Sequence, residues 1–328
     1  MTAVLSLRGV SVSLVTRRGS FRVVSDLDLD VAAGEVVALV GESGSGKSMT
    51  ALAAMHLLPD PPAWLEAGSI RLLGQETVGL PEAALARLRG DRMGMIFQEP
   101  MTALNPAMRI GAQVAEVLAL HRGLRGAALR QAAARLLARV RIPDPERRLD
   151  DYPHQMSGGM RQRVMIAMAL ACDPALLIAD EPTTALDPTT QAEILHLFRE
   201  IAEEGRGVLL ITHDLGVVAE VADRVAVMYG GRIVERTGVE ALLAGPAHPY
   251  AIGLLGALLD PSLPQRARLI EIAGTVPAPW ALPQGCAFAP RCPRAAARCD
   301  AERPPLAEVA NGHDAACWYP GAAARSAA

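Results

Sequence analysis

The stretch Val36-Val37-Ala38-Leu39-Val40-Gly41-Glu42-Ser43-Gly44-Ser45-Gly46-Lys47-Ser48 decides how the rest of the chain is read. Its first five residues form an unbroken apolar run, as expected of a parallel strand buried on both faces. The next eight match the phosphate-binding loop Gly-x-x-x-x-Gly-Lys-Ser in full. Lys47 to Leu58 then reads as a helix, stopped by Pro59 and the Pro61-Pro62 pair. Strand, loop and helix are the context this motif requires. The glycines let the backbone curl so that several N–H groups converge on one phosphate. The helix N-terminus adds the positive end of its dipole. Lys47 brings a cation to the β- and γ-phosphates of a nucleotide, and Ser48 brings a hydroxyl to Mg²⁺. Gly41, Glu42, Ser43, Gly44, Ser45, Gly46, Lys47, Ser48 and the adjoining Met49 are the candidate nucleotide contacts. A flexible Gly/Ser turn is the bland alternative, and the flanking elements argue against it.

A second apolar run, Leu176-Leu177-Ile178-Ala179, ends in two adjacent carboxylates, Asp180 and Glu181. Ligands of parallel α/β sheets gather at the C-terminal ends of strands. Asp180 is suited to a metal shell, and Glu181, one residue further, to polarising an attacking water as a general base. Ahead of this run stands Ser157-Gly158-Gly159-Met160-Arg161-Gln162-Arg163, a Ser-Gly-Gly turn that opens a helix. Gln98 ends the apolar run Met93 to Phe97, Thr184-Ala185-Leu186-Asp187 follows the carboxylate pair, and His213 follows the apolar strand Gly207 to Thr212.

In this order and spacing, the elements resemble the ABC-type ATPases from residue 3 to about residue 245. The resemblance implies an α/β fold: a P-loop nucleotide-binding domain with a mixed sheet core and a helical subdomain over about residues 99–170. It implies that Ser157, Gly158 and Gly159 cap the ATP of a second subunit rather than the chain's own, and that Asp187 lies in the loop touching that subunit. Glu181, His213 and Gln98 become the catalytic group, His213 sensing the γ-phosphate. Ser48, Gln98 and Asp180 become the Mg²⁺ ligands. Two departures stand out. Met156 and Met160 replace the Leu and Gln that often flank the Ser-Gly-Gly turn. The aromatic that usually stacks on adenine has only Phe21 as a candidate upstream of the loop, and Phe21 reads equally well as a strand core residue.

The member of the family is narrowed by Gln98-Glu99-Pro100-Met101-Thr102-Ala103-Leu104-Asn105-Pro106, by Tyr152-Pro153-His154-Gln155 before the signature turn, and by His248-Pro249-Tyr250. These resemble the ATPase subunits of oligopeptide, dipeptide and nickel importers, in which Met160 is ordinary. Such systems pair two similar ATPases, as a homologous heterodimer, with two membrane permeases and an external solute-binding protein. The expected function is therefore ATP hydrolysis energising peptide import at the cytoplasmic face of the plasma (inner) membrane. Nickel or another small solute is the alternative cargo. A soluble ABC ATPase acting on nucleic acid or ribosomes is disfavoured, because the chain has neither two ATPase units nor a long coiled-coil insert. A non-hydrolysing subunit is disfavoured by the intact Asp180, Glu181 and His213.

Composition agrees. A length of 328 residues suggests two domains, at roughly 150 residues each. Net charge is −3 and aromatics are 3%, so neither a basic footprint nor a stacking surface for nucleic acid is expected. No apolar run approaches the ~20 residues of a membrane span, and Met1 to Val10 does not read as a secretion signal. A cytoplasmic, peripheral subunit is expected.

Composition changes near Gly245-Pro246, so residues 1–245 are expected to form the ATPase domain and residues 246–328 a C-terminal extension. The extension holds four of the five cysteines, Cys286, Cys292, Cys299 and Cys317. No Cys-x-x-Cys pair points to a zinc ribbon. Four thiolates suffice for a [4Fe–4S] cluster, and the resemblance extends to members that bind one at matching cysteines. Small buried cysteines are the alternative. Cys172, read as part of the signature helix, is expected in the core. His56, His121 and His196 read as structural or surface residues.

Overall fold

The computed structural model describes residues 3–98, 103–184, 186–257 and 272–321, which divide into two compact units. One unit is built mainly on Arg71–Ile211; the other holds Ser6–Leu29, Val37–Ile70 and the chain from Thr212 onward.

In the first unit, three short strands run parallel in the order Met93–Ile96, Leu176–Asp180, Gly207–Thr212. Met93 pairs with Leu176, and Leu176 with Gly207. Every residue of the last two strands is buried, so their apolar composition is what burial on both faces demands. The helices Ile110–Arg122, Gly126–Arg139 and Gly158–Ala169 pack on one another. The sequence predicts one helical stretch from Gln113 to Arg141; the structure breaks it at Gly123. That residue caps the first helix in the left-handed region (φ 64°), a conformation glycine adopts without strain. At the other end of the first helix, the Gln113 amide donates to Asn105 O and Met108 O, and its oxygen accepts from Asn105 N.

In the second unit, the strands Gly19–Ala32, Ala3–Thr16 and Ala63–Leu72 lie side by side in that order. The sequence predicts several short strands here. Instead, two of the three are 14 residues long, because Leu27, Leu29 and Val31 keep their alternation without interruption. A further run of strands follows the order Ala307–Ala310, His313–Ala315, Arg232–Gly238, Arg224–Tyr229, Val36–Val40. All pairs are antiparallel except the last. The hairpin turn is Gly230-Gly231 with φ of 55° and 82°, the double positive φ of a type I′ turn. Against this sheet packs a core that includes Val40, Val227, Tyr229, Tyr250 and Phe288.

The helix predicted from Lys47 to Leu58 ends at Ala54, capped by Met55. His56 then takes φ 52°, so the chain leaves the helix before the prolines are reached. Cys172 is buried, but lies beyond the end of the signature helix at Ala169.

Candidate nucleotide site

The phosphate loop sits between the buried strand Val36–Val40 and the helix Lys47–Ala54. Gly46 is its hinge: φ is 107°, and a Cβ there would stand 2.6 Å from Val23 O. A Cβ on Gly41 would stand 2.2 Å from Met228 O. Both positions therefore exclude a side chain. Gly46 caps the helix without a side-chain hydrogen bond, and a helix N-terminus is a favourable place for an anion. The Lys47 side chain is buried and its ammonium donates to Gly41 O (2.7 Å) and Glu42 O (3.1 Å). Ser43 and Gly44 are exposed; Ser48 and Met49 are half-buried.

Glu42 is held from outside the loop. Its N–H donates to the Tyr250 hydroxyl (2.7 Å), and its carboxylate pairs with Arg291 (3.0 Å). Tyr250 and Phe288 pack on Tyr229, with ring centroids 4.7 and 5.2 Å apart. Burial pushes both tyrosine hydroxyls to a higher pKa. Phe21 is half-buried on its strand, with its ring 5.7 Å from that of Trp280, over which Arg18 lies at 4.8 Å. The sequence offers Phe21 alone as an upstream aromatic; the structure pairs it with a second ring from the extension.

The other predicted residues, except His213, belong to the first unit. Asp180 is buried at its strand end. Glu181 turns the chain at φ 47°, its N–H bonded to Ile211 O (2.9 Å). Its carboxylate accepts from the Gln98 amide (3.2 Å) and the Thr184 hydroxyl (3.1 Å). Gln98 and Glu181, 83 residues apart in sequence, thus meet. Ser157 caps the signature helix, its Oγ accepting from Met160 N (3.3 Å). Gly158 is open, while a Cβ on Gly159 would press on Thr190 at 2.7 Å. Thr190 is in turn bound to Asp187, through N (3.0 Å) and Oγ1 (2.7 Å). These hydrogen bonds lower the Asp187 pKa. His213 is exposed just before the helix Leu215–Val221. Glu99 to Thr102 and Ala185 lie outside the described residues.

All five cysteines are free thiols. Cys286, Cys292, Cys299 and Cys317 line a single pocket with His248 and Phe288. Burial raises the thiol pKa of Cys286, Cys292 and Cys317. Backbone N–H groups of Arg294 and Tyr319 point at the sulfurs of Cys292 and Cys317 (both 3.4 Å). Among the described residues, no three His, Cys, Asp or Glu side chains gather around a single point in a way that could hold one metal ion.

Sequence reading missed Tyr250, Arg291 and Trp280. The signal nearest to them was His248-Pro249-Tyr250, which marked a branch of the family without revealing what the Tyr250 side chain touches.

The family described as ABC transporter matches residues 24–184, and that described as oligopeptide/dipeptide transporter, C-terminal region, matches residues 234–299. A relative from Brucella melitensis is 50% identical over 325 residues, covering 96% of each chain. The dipeptide transport ATP-binding protein DppD of Escherichia coli is 47% identical and the oligopeptide transport ATP-binding protein AppD of Bacillus subtilis 44%, each covering 97% of both chains. Among solved structures, the dimeric post-hydrolysis ATP-binding cassette MJ0796 bound to ADP and Pi aligns with a TM-score of 0.64 at 28% identity. It covers 72% of this chain and 98% of that one.

Proposed function

This chain belongs to the ABC transporter ATP-binding family, in its oligopeptide/dipeptide branch, and from that premise we propose that it hydrolyses ATP to drive peptide import through a membrane permease. The observation that carries the reading is end-to-end similarity, at 44–47% identity, to ATP-binding proteins of dipeptide and oligopeptide transport. Residues 1–245 form the ATPase domain, with its helical subdomain over about 99–170, and residues 246–328 the extension.

In the proposed site, the loop from Gly41 to Met49 binds the phosphates, with Lys47 against the β- and γ-oxygens. Two such ATPases face each other, and Ser157, Gly158, Gly159 and Asp187 of one chain close over the nucleotide of the other. Glu181 accepts a proton from water as it attacks the γ-phosphate in line, with Gln98 and His213 positioning that water. The pairing of Gln98 with Glu181 supports this division of labour. Ser48, Gln98 and Asp180 offer the oxygen ligands that Mg²⁺ prefers, and the ion supplies charge neutralisation at the phosphates. Catalysis is then mainly positioning and electrostatics. The partners are a homologous ATPase, two permeases and, indirectly, an external binding protein. Among the described residues no helix is long and apolar enough to cross a membrane, in keeping with a peripheral place on the cytoplasmic face.

In this reading the four extension thiols would be the ligands of a [4Fe–4S] cluster. The donor chemistry fits: four thiols line one pocket, with N–H groups aimed at two sulfurs. Iron analysis and visible absorbance of anaerobically purified protein test it, and a sample without iron refutes it.

The ATPase assignment is tested with Glu181→Gln. A general base contributes on the order of 10²- to 10⁴-fold, so this variant should bind ATP and turn it over at least a hundredfold more slowly. Near-parental turnover would refute the assignment. Co-purification with a permease pair tests the transport role.

A further inference from the structure

Glu42 stands at a position of the phosphate loop where the motif makes no demand, yet it is anchored from outside that loop. Its N–H, its carboxylate and its carbonyl are all engaged. The N–H donates to the Tyr250 hydroxyl (2.7 Å). Both carboxylate oxygens accept from Arg291 Nη1 (3.1 and 3.0 Å). The carbonyl accepts from Lys47 Nζ (3.1 Å). The two outer anchors lie 208 and 249 residues away in sequence, both beyond residue 245.

Neither anchor is itself loose. Tyr250 is fully buried between Tyr229 and Phe288. Its helix begins at Pro249, and His248 and Ala247 donate their N–H groups to buried Glu235 (both 2.7 Å). The Arg291 side chain is 5% exposed. Its remaining donors reach Ala273 O (2.9 Å), Ile272 O (3.0 Å) and the Tyr229 hydroxyl (3.4 Å). A guanidinium whose Nε and Nη2 are committed in this way holds Nη1 fixed against both carboxylate oxygens.

We propose that Tyr250 and Arg291 are positioning residues for nucleotide binding: the extension holds the phosphate loop in its anion-binding shape by gripping Glu42 from behind. The inference rests on the nucleotide-site reading of the loop. Its physical content is an entropy argument. A Gly-rich loop loses more conformational freedom on ordering than any other segment. A loop already ordered at Glu42 spends less of the phosphate's binding energy on that ordering. The Tyr250 hydroxyl also fixes which way the Gly41–Glu42 peptide faces. The N–H points outward to the phenol, and the carbonyl of Gly41 points toward Lys47 Nζ (2.7 Å). With that peptide reversed, both hydrogen bonds would be lost, and the Lys47 ammonium would face an N–H instead of a carbonyl.

The test uses the full chain. Tyr250→Phe removes the acceptor and keeps the ring; Arg291→Gln and Glu42→Gln each remove the ion pair. Binding of trinitrophenyl-ATP should weaken about tenfold in each variant, the effect of one lost hydrogen bond to a site. Turnover at saturating ATP should change little in Tyr250→Phe and Arg291→Gln. Glu42→Gln combined with Arg291→Gln should weaken binding no more than either alone, whereas unrelated structural damage would add. Hydrogen exchange at the Glu42 amide should quicken in Tyr250→Phe, and this readout requires no nucleotide. Should Tyr250→Phe fail to fold, Glu42→Gln, on the loop side, carries the test. Unchanged affinity in the folded variants, or an unchanged Glu42 amide, overturns the proposal. Lys47→Ala separates it from its premise. If Lys47→Ala binds nucleotide as tightly as the parent, the nucleotide-site reading fails, and the grip on Glu42 is then judged on the amide exchange alone.

Discussion

At the scale of single residues, backbone geometry constrains the phosphate loop more tightly than side-chain chemistry does. Gly46→Ala would combine a left-handed φ with a Cβ 2.6 Å from a backbone oxygen, and backbone cannot rotate away as a side chain can. The expected outcome is a chain that has lost nucleotide binding even where it still folds, read by titration with a fluorescent nucleotide. His248 offers a residue-scale test of a different kind. It is almost fully buried without a charge partner, and burial lowers its pKa to about 4. Its unfolded value is about 6.5. As pH falls through 6.5 the unfolded chain takes up the proton and the folded chain does not, so stability is lost between pH 6.5 and 4. The loss from pH 7 to pH 5 should be about 2 kcal/mol. His248→Asn keeps an acceptor for Tyr250 N and removes the titration. Urea melts at the two pH values should then differ by that much less in the variant than in the parent.

Elements are joined by one buried carboxylate. Glu235, on the strand Arg232–Gly238, is wholly inaccessible. It accepts from Ala247 N, His248 N and His313 Nε2, at 2.7, 2.7 and 2.6 Å. It therefore ties together the central hairpin, the start of the helix Pro249–Gly256 and the strand His313–Ala315. Glu235→Ala leaves those buried donors without an acceptor, at a cost of about 3 kcal/mol or more. A lowered thermal midpoint is expected. Because the helix carries Tyr250, faster exchange at the Glu42 amide is expected with it. The signature turn shows the same economy: Asp187 caps its helix by accepting from Thr190 N, and Thr190 also packs under Gly159. In Gly159→Ala the new methyl would press on Thr190 and disturb Asp187, two elements that the proposed function places at a partner's nucleotide.

On the scale of the whole molecule, the Ser-Gly-Gly turn serves a second subunit in the proposed assembly, so an isolated chain holds only parts of two sites. Turnover by the purified chain should be slow and rise with added partner ATPase. A rate independent of partner would contradict the shared-site arrangement.

What the sequence by itself determined is the part of this protein that depends on local spacing. A phosphate loop requires its glycines, lysine and serine consecutively, so Gly41 to Ser48 could be read directly. The helix start at Asp187-Pro188 and the two-glycine hairpin turn are local in the same sense, since caps and turns are made by neighbours in sequence. Strand lengths and helix ends were read less well. Alternation reveals which face is buried but not where pairing stops, and His56 leaves its helix through a positive φ that its residue type does not announce. Only the tertiary structure decided what grips Glu42. A hydrogen bond across 208 residues and an ion pair across 249 leave no periodicity behind. Tyr250 and Arg291 reach the loop because a buried aromatic core and the Glu235 cluster deliver them there.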